Sequence, residues 1–324
     1  MKKEKAECLF DEAYAWLCKS RRNHPANADI WDFRFKWHKD KPAILSAFLH
    51  GNFRLDTQRR IALNSNDEID VYKSDDALVI KILTRLIENR ILGKISKRCF
   101  HVKGQGGLKG AVRAVAANRN KYPFVFRTDV KSYYNSIDHE TLLSMLGVHV
   151  KNCKLICLVR QYLERTVEKD GIYRDVARGI PMGSSLSPLM GALYLSKLDA
   201  KLSEMGVFYV RYMDDILVMT STRWKLRKAV KIVNEQLNVL GLHKHPDKTF
   251  IGRVEKGFDF LGYHFGPEAL SLAEKTIDNF INNALRLYEQ EPPVSRQGRL
   301  EAYTTNWIRW AYGGLGNDSR TCAG

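Results

Sequence analysis

Apolar positions at helical spacing dominate most of the chain. Residues 75–95, DDALVIKILTRLIENRILGKI, repeat Val79, Ile82, Leu83, Leu86 and Ile87, which predicts a helix with Ser74 or Asp75 as its cap. Residues 1–55 read as helical, with Trp16, Trp31, Phe33 and Trp37 as packing candidates. Residues 187–205 predict one helix: Ser187 caps it, Pro188 suits its first turn, and Leu195, Leu198, Leu202 and Met205 share a face before Gly206. Residues 223–240 turn Leu226, Val230, Val233, Leu237 and Leu240 inward, with Arg223, Lys225, Arg227, Lys228 and Lys231 outward and Gly241 past the end. The last stretch, about 50 residues, again reads as helical. Elsewhere the pattern shortens to strands. FVFRTDV reads as one strand and FYVRYMDDILVM (208–219) as two joined by a tight turn, while FIGRVEKGFDFLGYHF alternates as a short hairpin. The antiparallel hairpin at 208–219 argues for an α+β fold and against a doubly wound parallel sheet.

Charge narrows the function. Fifty-two Lys and Arg against 36 acids leave a net +16 over 324 residues, spread along the whole chain. Such an excess favours a polyanionic partner, because neutralised phosphates release counterions. A membrane surface would call for a polybasic amphipathic block or a lipid signal. No apolar run approaches a membrane span, and MKKEKAECLFDEAYAW lacks a signal-peptide core, so the expectation is a soluble, cytoplasmic protein with no membrane partner. Six scattered cysteines, without a C-x-x-C pair, predict free thiols. The glycines of VKGQGGLKGAV predict a flexible turn ahead of a helix at about 108–119. They lack the Gly-Lys-Ser/Thr order of a phosphate-cradling loop.

Candidate chemistry sits at strand ends. Asp214 and Asp215 fall at the tip of the 208–219 hairpin, and Asp129 ends the apolar strand FVFRTDV. Each has a plain alternative, since aspartate commonly bonds local backbone at a turn or cap. Three carboxylates delivered by strand ends can also hold two divalent cations about 3.5–4 Å apart. Hard Mg²⁺ prefers oxygen ligands and keeps positions open for substrate phosphates.

Taken with the charge, these segments resemble reverse transcriptases over about residues 70–265. TDVKSYYNSIDH is similar to the first palm motif. RGIPMGSSLSPLMGALYL is similar to RGIPQGxxLSPxLxNxYL of group II intron and related bacterial enzymes, and YMDD to the polymerase box. HPDKTFIG and FDFLGYHF are similar to the lysine-containing palm motif and the primer grip. The resemblance implies a right-hand polymerase fold. An N-terminal helical extension would occupy 1–55, fingers 56–128, a palm of antiparallel sheet and helices 129–265 with fingers segments interleaved, and a short helical thumb 266–324.

Carried onto this sequence, the resemblance makes Asp129, Asp214 and Asp215 catalytic, holding two Mg²⁺ ions (or Mn²⁺ in their place) with the Val130 carbonyl assisting. Lys248 would protonate departing pyrophosphate. Tyr134 falls at the steric gate against a 2′-hydroxyl, leaving Tyr133 as the better core candidate. Pro181, Met182 and Gly183 would line the nucleotide and template side, with Met182 standing where glutamine is usual. Arg60 and Lys73 are the triphosphate candidates. Lys103, Lys109, Arg113 and Arg178 would contact nucleic acid, helped by Arg119, Lys121 and a stacking Tyr122. Leu261 and Gly262 belong to the primer-grip segment. The implied partners are an RNA template, a DNA or protein primer, and deoxynucleoside triphosphates. The implied type is a compact, group II intron-like bacterial enzyme standing alone, of a shape often found in antiphage defence with a dedicated non-coding RNA. Two alternatives remain open at this point. One is a maturase-like, non-catalytic RNA-binding protein; the other is a polymerase making RNA, or a template-independent nucleotidyltransferase, on the same fold.

Overall fold

The computed structural model describes residues 3–62, 68–290 and 293–315. In chain order the helices α1 (Lys3–Ser20) and α2 (Asp29–His50) precede strands β1 (Gln58–Ala62) and β2 (Glu68–Val71) and helix α3 (Ser74–Ile91). Helix α4 (Gly107–Asn118) leads to β3 (Phe124–Thr128), α5 (Tyr133–Ser136), α6 (His139–His149) and α7 (Cys153–Leu163). Strands β4 (Thr166–Lys169) and β5 (Ile172–Asp175) precede α8 (Ser187–Tyr194) and α9 (Ser196–Glu204). The hairpin β6 (Phe208–Tyr212) and β7 (Asp215–Thr220) runs into α10 (Arg223–Val239). Short strands β8 (Phe250–Arg253), β9 (Phe258–Phe260), β10 (Tyr263–Phe265) and β11 (Leu270–Leu272) precede α11 (Glu274–Gln290) and α12 (Pro293–Leu315).

These elements group into two compact units. The first takes the chain up to Ser96 with 132–197 and 238–242. Its sheet has the order β2-β1-β4-β5, and α1, α2 and α3 pack together beside it. The N-terminal helices thus fold with strands 58–71 in one unit. The second unit takes 97–131, 198–237 and the chain from His243. Its four-stranded antiparallel sheet has the order β6-β7-β3-β8. One face of that sheet is covered by Ala111, Val112 and Val115 of α4, which meet Val125, Val210, Leu217 and Met219 in a fully buried core.

Several local expectations change. The helix expected over 187–205 breaks at Leu195 into α8 and α9. Ser187 does not cap it. The hydroxyl is buried, bonds the Pro181 carbonyl, and lies 2.6 Å from the Tyr162 hydroxyl. Tertiary partners outcompete the local cap here. Neither Ser74 nor Asp75 caps α3. Its N-cap is Lys73, and Ser74 N–H donates to Asp29 Oδ2 at 2.6 Å. The hairpin expected over 250–265 is only its second half, β9 with β10. Phe250–Arg253 instead pairs with β3 as the edge of the four-stranded sheet. Gly104, Gly106 and Gly107 make the expected turn, all with positive φ.

Candidate active site

Sheet register gathers the carboxylates. β3 and β7 run antiparallel with Thr128 opposite Ile216, so Asp129 and Asp215 emerge one step further, at the same sheet end. β6 and β7 pair through Tyr212 opposite Asp215, which leaves Met213 and Asp214 as a two-residue turn. Met213 has φ 55, a left-handed conformation that glycine adopts freely. In a methionine it costs about 1 kcal/mol or more. Residues 129–131 continue the pairing beyond β3. Lys131 N–H donates to the His243 carbonyl at 2.9 Å and His245 N–H to the Asp129 carbonyl at 2.8 Å. These two bonds flank the Val130–Lys244 bridge, so the Val130 carbonyl points away from residues 243–245.

The three aspartates differ in charge state. Burial, then a hydrogen bond and charge repulsion with Asp129, pushes Asp214 up to about 8. Burial and the Asp129 charge push Asp215 up to about 6, against the pull of Arg127, whose guanidinium lies 3.9 Å away. Burial would raise Asp129 too. The bond from Asp214 and the Lys248 ammonium, 2.5 Å from Oδ2, outweigh that and hold it below its ordinary value. Burial and the neighbouring carboxylates thus favour the protonated form of Asp214, with Asp129 as its hydrogen-bond partner. Lys248 is held above its ordinary value, chiefly by the bond to Asp129.

A crowded group of oxygen donors, in which one acid stays protonated to relieve repulsion, has the chemistry a divalent cation replaces. As placed, the side chains do not close on an ion: among the described residues no three His, Cys, Asp or Glu converge on one point. Asp129 is turned to Lys248 and Asp215 faces Arg127.

The groups around the turn and the carboxylates were not among the sequence candidates. Arg127 could have been found, since it precedes Asp129 by two on β3 and so shares its face. His101 carries no such signal, yet Met213 N–H donates to its Nδ1 at 2.8 Å. Arg211 Nη1 donates to the Met213 carbonyl at 2.9 Å while its Nε and Nη2 grip Asp199.

The remaining candidates fall into separate groups. Within the first unit, Tyr134 begins the link to the 180s loop, its carbonyl accepting from Ile180 N–H at 2.8 Å. Tyr133 and Tyr134 lie on the short helix α5, so the alternation of a strand does not separate them. Tyr133 is buried, with its hydroxyl on the Gly191 carbonyl at 2.7 Å, while Tyr134 is half-buried beside Gly191. Pro181 is buried, whereas Gly183 is exposed and Met182 is 40% exposed. Gly179 needs its missing side chain: φ is 90 and a Cβ would come within 2.8 Å of Asn135. Arg60 is engaged by Asp70 at 2.7 Å and Lys73 by Asp56. Arg178 is exposed, its Nε on the Ser136 carbonyl at 3.0 Å.

In the second unit Lys103 and Arg113 are exposed. Lys109 is not: its ammonium bonds the Tyr263 hydroxyl and the Trp310 carbonyl and sits 4.0 Å from the Trp310 ring centre. Burial, then Arg113, lowers its pKa to about 8. Arg119 donates to the carbonyls of Gly266 and Glu268, and Tyr122 stacks on Phe208. Leu261 and Gly262, both with positive φ, form the turn between β9 and β10, packed so closely that a Cβ on Gly262 would meet the Trp310 ring at 3.0 Å.

Residues 70–265 match the family model described as reverse transcriptase (RNA-dependent DNA polymerase). The chain belongs to the reverse transcriptase family. Among curated proteins it is 32% identical over 71 residues to the group II intron-encoded protein LtrA of Lactococcus lactis, covering 22% of this chain and 12% of LtrA. It is 24% identical over 177 residues to protein YkfC of Escherichia coli, covering 43% of this chain and 46% of YkfC. The chain thus spans less than half the length of these relatives. Among solved structures it resembles the telomerase of Candida albicans, with a TM-score of 0.58 and 11% identity over 87% of this chain and 59% of that one. Telomerase of Candida tropicalis gives a TM-score of 0.53 at 13% identity, over 73% and 60%. This reverse transcriptase thus has the α+β right-hand polymerase fold expected from its motifs. No helix among its described residues is long and apolar enough to cross a membrane.

Proposed function

We propose that this reverse transcriptase copies an RNA template into DNA, extending a DNA or protein primer with deoxynucleoside triphosphates. The observation that supports this most is the gathering of Asp129, Asp214 and Asp215 at one sheet end. Two Mg²⁺ ions, with Mn²⁺ as substitute, would be held by these carboxylates and the Val130 carbonyl, and when bound would lower the pKa of the attacking hydroxyl and stabilise departing pyrophosphate. The chain's own residues do the rest. Asp214 must give up its proton before it can ligate, and Lys248 must leave Asp129. That frees the Lys248 ammonium to deliver a proton to the leaving pyrophosphate oxygen. Arg127 steadies Asp215. Tyr134 blocks a 2′-hydroxyl. Pro181, Met182, Gly183, Arg60 and Lys73 contact the nucleotide, the two cations exchanging their carboxylate partners for phosphate. Lys103, Arg113, Arg178, Leu261 and Gly262 contact template and primer, and Lys109 supports that surface from beneath by fixing α12. The fingers, palm and thumb take the boundaries set out from the sequence.

The test is primer extension on a defined RNA template with Mg²⁺, then with Mn²⁺, then with chelator. Extension that requires template, deoxynucleotides and metal is expected. Extension without template would make the protein a terminal transferase, and RNA binding without extension in any metal would make it a clamp. Sequencing the nucleic acid that copurifies would identify the template; one dominant RNA would favour the dedicated-RNA, antiphage arrangement.

A further inference from the structure

The Met213–Asp214 turn is held by groups that take no part in the carboxylate cluster. In a two-residue hairpin the first turn residue is outside the strand ladder, so its N–H and C=O need other partners. Here both are captured. His101 Nδ1 accepts the Met213 N–H at 2.8 Å, and Arg211 Nη1 donates to the Met213 carbonyl at 2.9 Å. The peptide on either side of a left-handed methionine is thus gripped from two directions.

Each grip is itself anchored. Arg211 is fully buried and forked onto Asp199, with Nε to Oδ1 at 2.9 Å and Nη2 to Oδ2 at 2.5 Å. Asp199 is 1% exposed, on α9. A planar guanidinium fixed at one edge by a carboxylate presents its remaining N–H in a set direction, which an ammonium could not do. His101 is delivered by a segment that lies against β6. Arg211 N–H donates to the Arg98 carbonyl at 2.9 Å and Phe100 N–H to the Arg211 carbonyl at 2.8 Å. The imidazole then sits edge-on to Tyr212, with ring centres 5.9 Å apart. To accept an N–H, Nδ1 must be bare, so the ring proton lies on Nε2.

We propose that His101 and the Asp199–Arg211 pair are positioning residues, which hold Met213 left-handed and so aim Asp214 at the reacting centre. The inference rests on the polymerase reading of Asp214. It explains why a methionine is tolerated where glycine is the easy choice: the clamp, rather than the residue type, sets the conformation. A glycine turn would need no clamp but would leave Asp214 loosely aimed. A displacement near 1 Å at a reacting centre can cost about a hundredfold in rate.

The deciding experiment uses the full chain with His101→Ala and His101→Asn, because asparagine keeps an acceptor close to the position of Nδ1. Arg211 and Asp199 are too deeply buried for their loss to be separated from misfolding. Two quantities are read: hydrogen exchange of the peptide covering 208–219 in metal-free protein, and single-nucleotide extension in Mg²⁺. His101→Ala is expected to speed exchange in that peptide at least about tenfold and to slow extension about 10- to 100-fold. His101→Asn is expected to recover most of both. Unchanged exchange in His101→Ala overturns the clamp, and so does equal loss in the two variants. If the wild-type protein fails to extend any primer, the polymerase reading falls, while exchange still decides whether His101 holds the turn.

Discussion

Asp199 is a buried aspartate and Asp214 a half-buried one of the same unit, and their surroundings are opposite. Asp199 meets a guanidinium that satisfies both its oxygens. Asp214 meets two further carboxylates, while the nearby cations bond elsewhere, Lys248 to Asp129 and Arg127 to Asp215. Desolvation is the first cause raising each, and it acts on Asp199 in spite of its guanidinium and on Asp214 together with its carboxylate neighbours. The difference lies in what supplies the countercharge. The protein supplies it at Asp199, where the charge serves the fold. At Asp214 carboxylates outweigh the cations that reach it, which favours its protonated form. A like-charged cluster that stays under-compensated marks a site poised for a ligand.

Replacing each aspartate should therefore have opposite consequences. The largest effect is expected from Asp214→Asn, which leaves fold and RNA affinity near wild type and lowers nucleotide incorporation by about 10³-fold or more, the scale of losing a group that stabilises transition-state charge. Primer extension beside a filter-binding assay checks this, and extension near the wild-type rate would remove Asp214 from the cluster. Asp199→Ala should instead lower the stability of the protein by about 3–5 kcal/mol, because it leaves the buried Arg211 charge without its carboxylate. Urea unfolding reads the difference, and a loss under about 1 kcal/mol would mean that water reaches Arg211.

Smaller effects lie at the sugar. Tyr134→Ala should admit ribonucleotides about 10- to 100-fold more readily, the equivalent of relieving ~1–3 kcal/mol of overpacking. Tyr133→Ala should lower stability without that gain, since Tyr133 is a buried residue bonded to Gly191. Single-nucleotide extension with each sugar separates the two, and a ribonucleotide gain in Tyr133→Ala alone would move the gate by one residue.

The same contrast explains what the sequence disclosed. Asp129, Asp214 and Asp215 stood out because local pattern places each of them at a strand end or hairpin tip; the register of β3 with β7, which brings them to one sheet end, was not visible in it. Helices α3, α4 and α10 were legible for the same reason, as buried positions such as Ile82, Val112 and Val233 recur at helical spacing. What escaped depends on partners distant in the chain. Ser187 has the composition of a cap, but Tyr162 and Pro181 claim its hydroxyl. Lys109 has the look of a surface cation, but Trp310, two hundred residues on, takes its ammonium. His101 and Asp199 carry no motif-independent signal, because their roles exist only once residues 98–101 lie against β6.

The smallest expected effect sharpens the comparison most, because it reads the trapped proton directly. Asp214 is held up to about 8 and Asp215 up to about 6, whereas an unfolded aspartate titrates near 3.9. Between pH 4 and 8 the folded protein therefore binds more protons than the unfolded chain. By linkage, its metal-free stability must fall as pH rises across that window. The stabilisation from these protons is complete below about pH 4 and lost as pH passes about 8. Asp129, held low, acts in the other direction and only in more acid solution. Other groups titrate in the same window, Asp76 at about 7 among them, so the measure is the difference between wild type and Asp214→Asn. The wild-type thermal midpoint, in chelator, should drop by a few degrees more than that of the variant from pH 5.5 to 8. Mg²⁺ competes with the same protons, so its stabilising increment should grow over the same range in wild type and be weaker in the variant. Parallel midpoint curves for the two proteins, or a Mg²⁺ increment independent of pH, would show that no proton is trapped at Asp214 and that the two aspartates are alike after all.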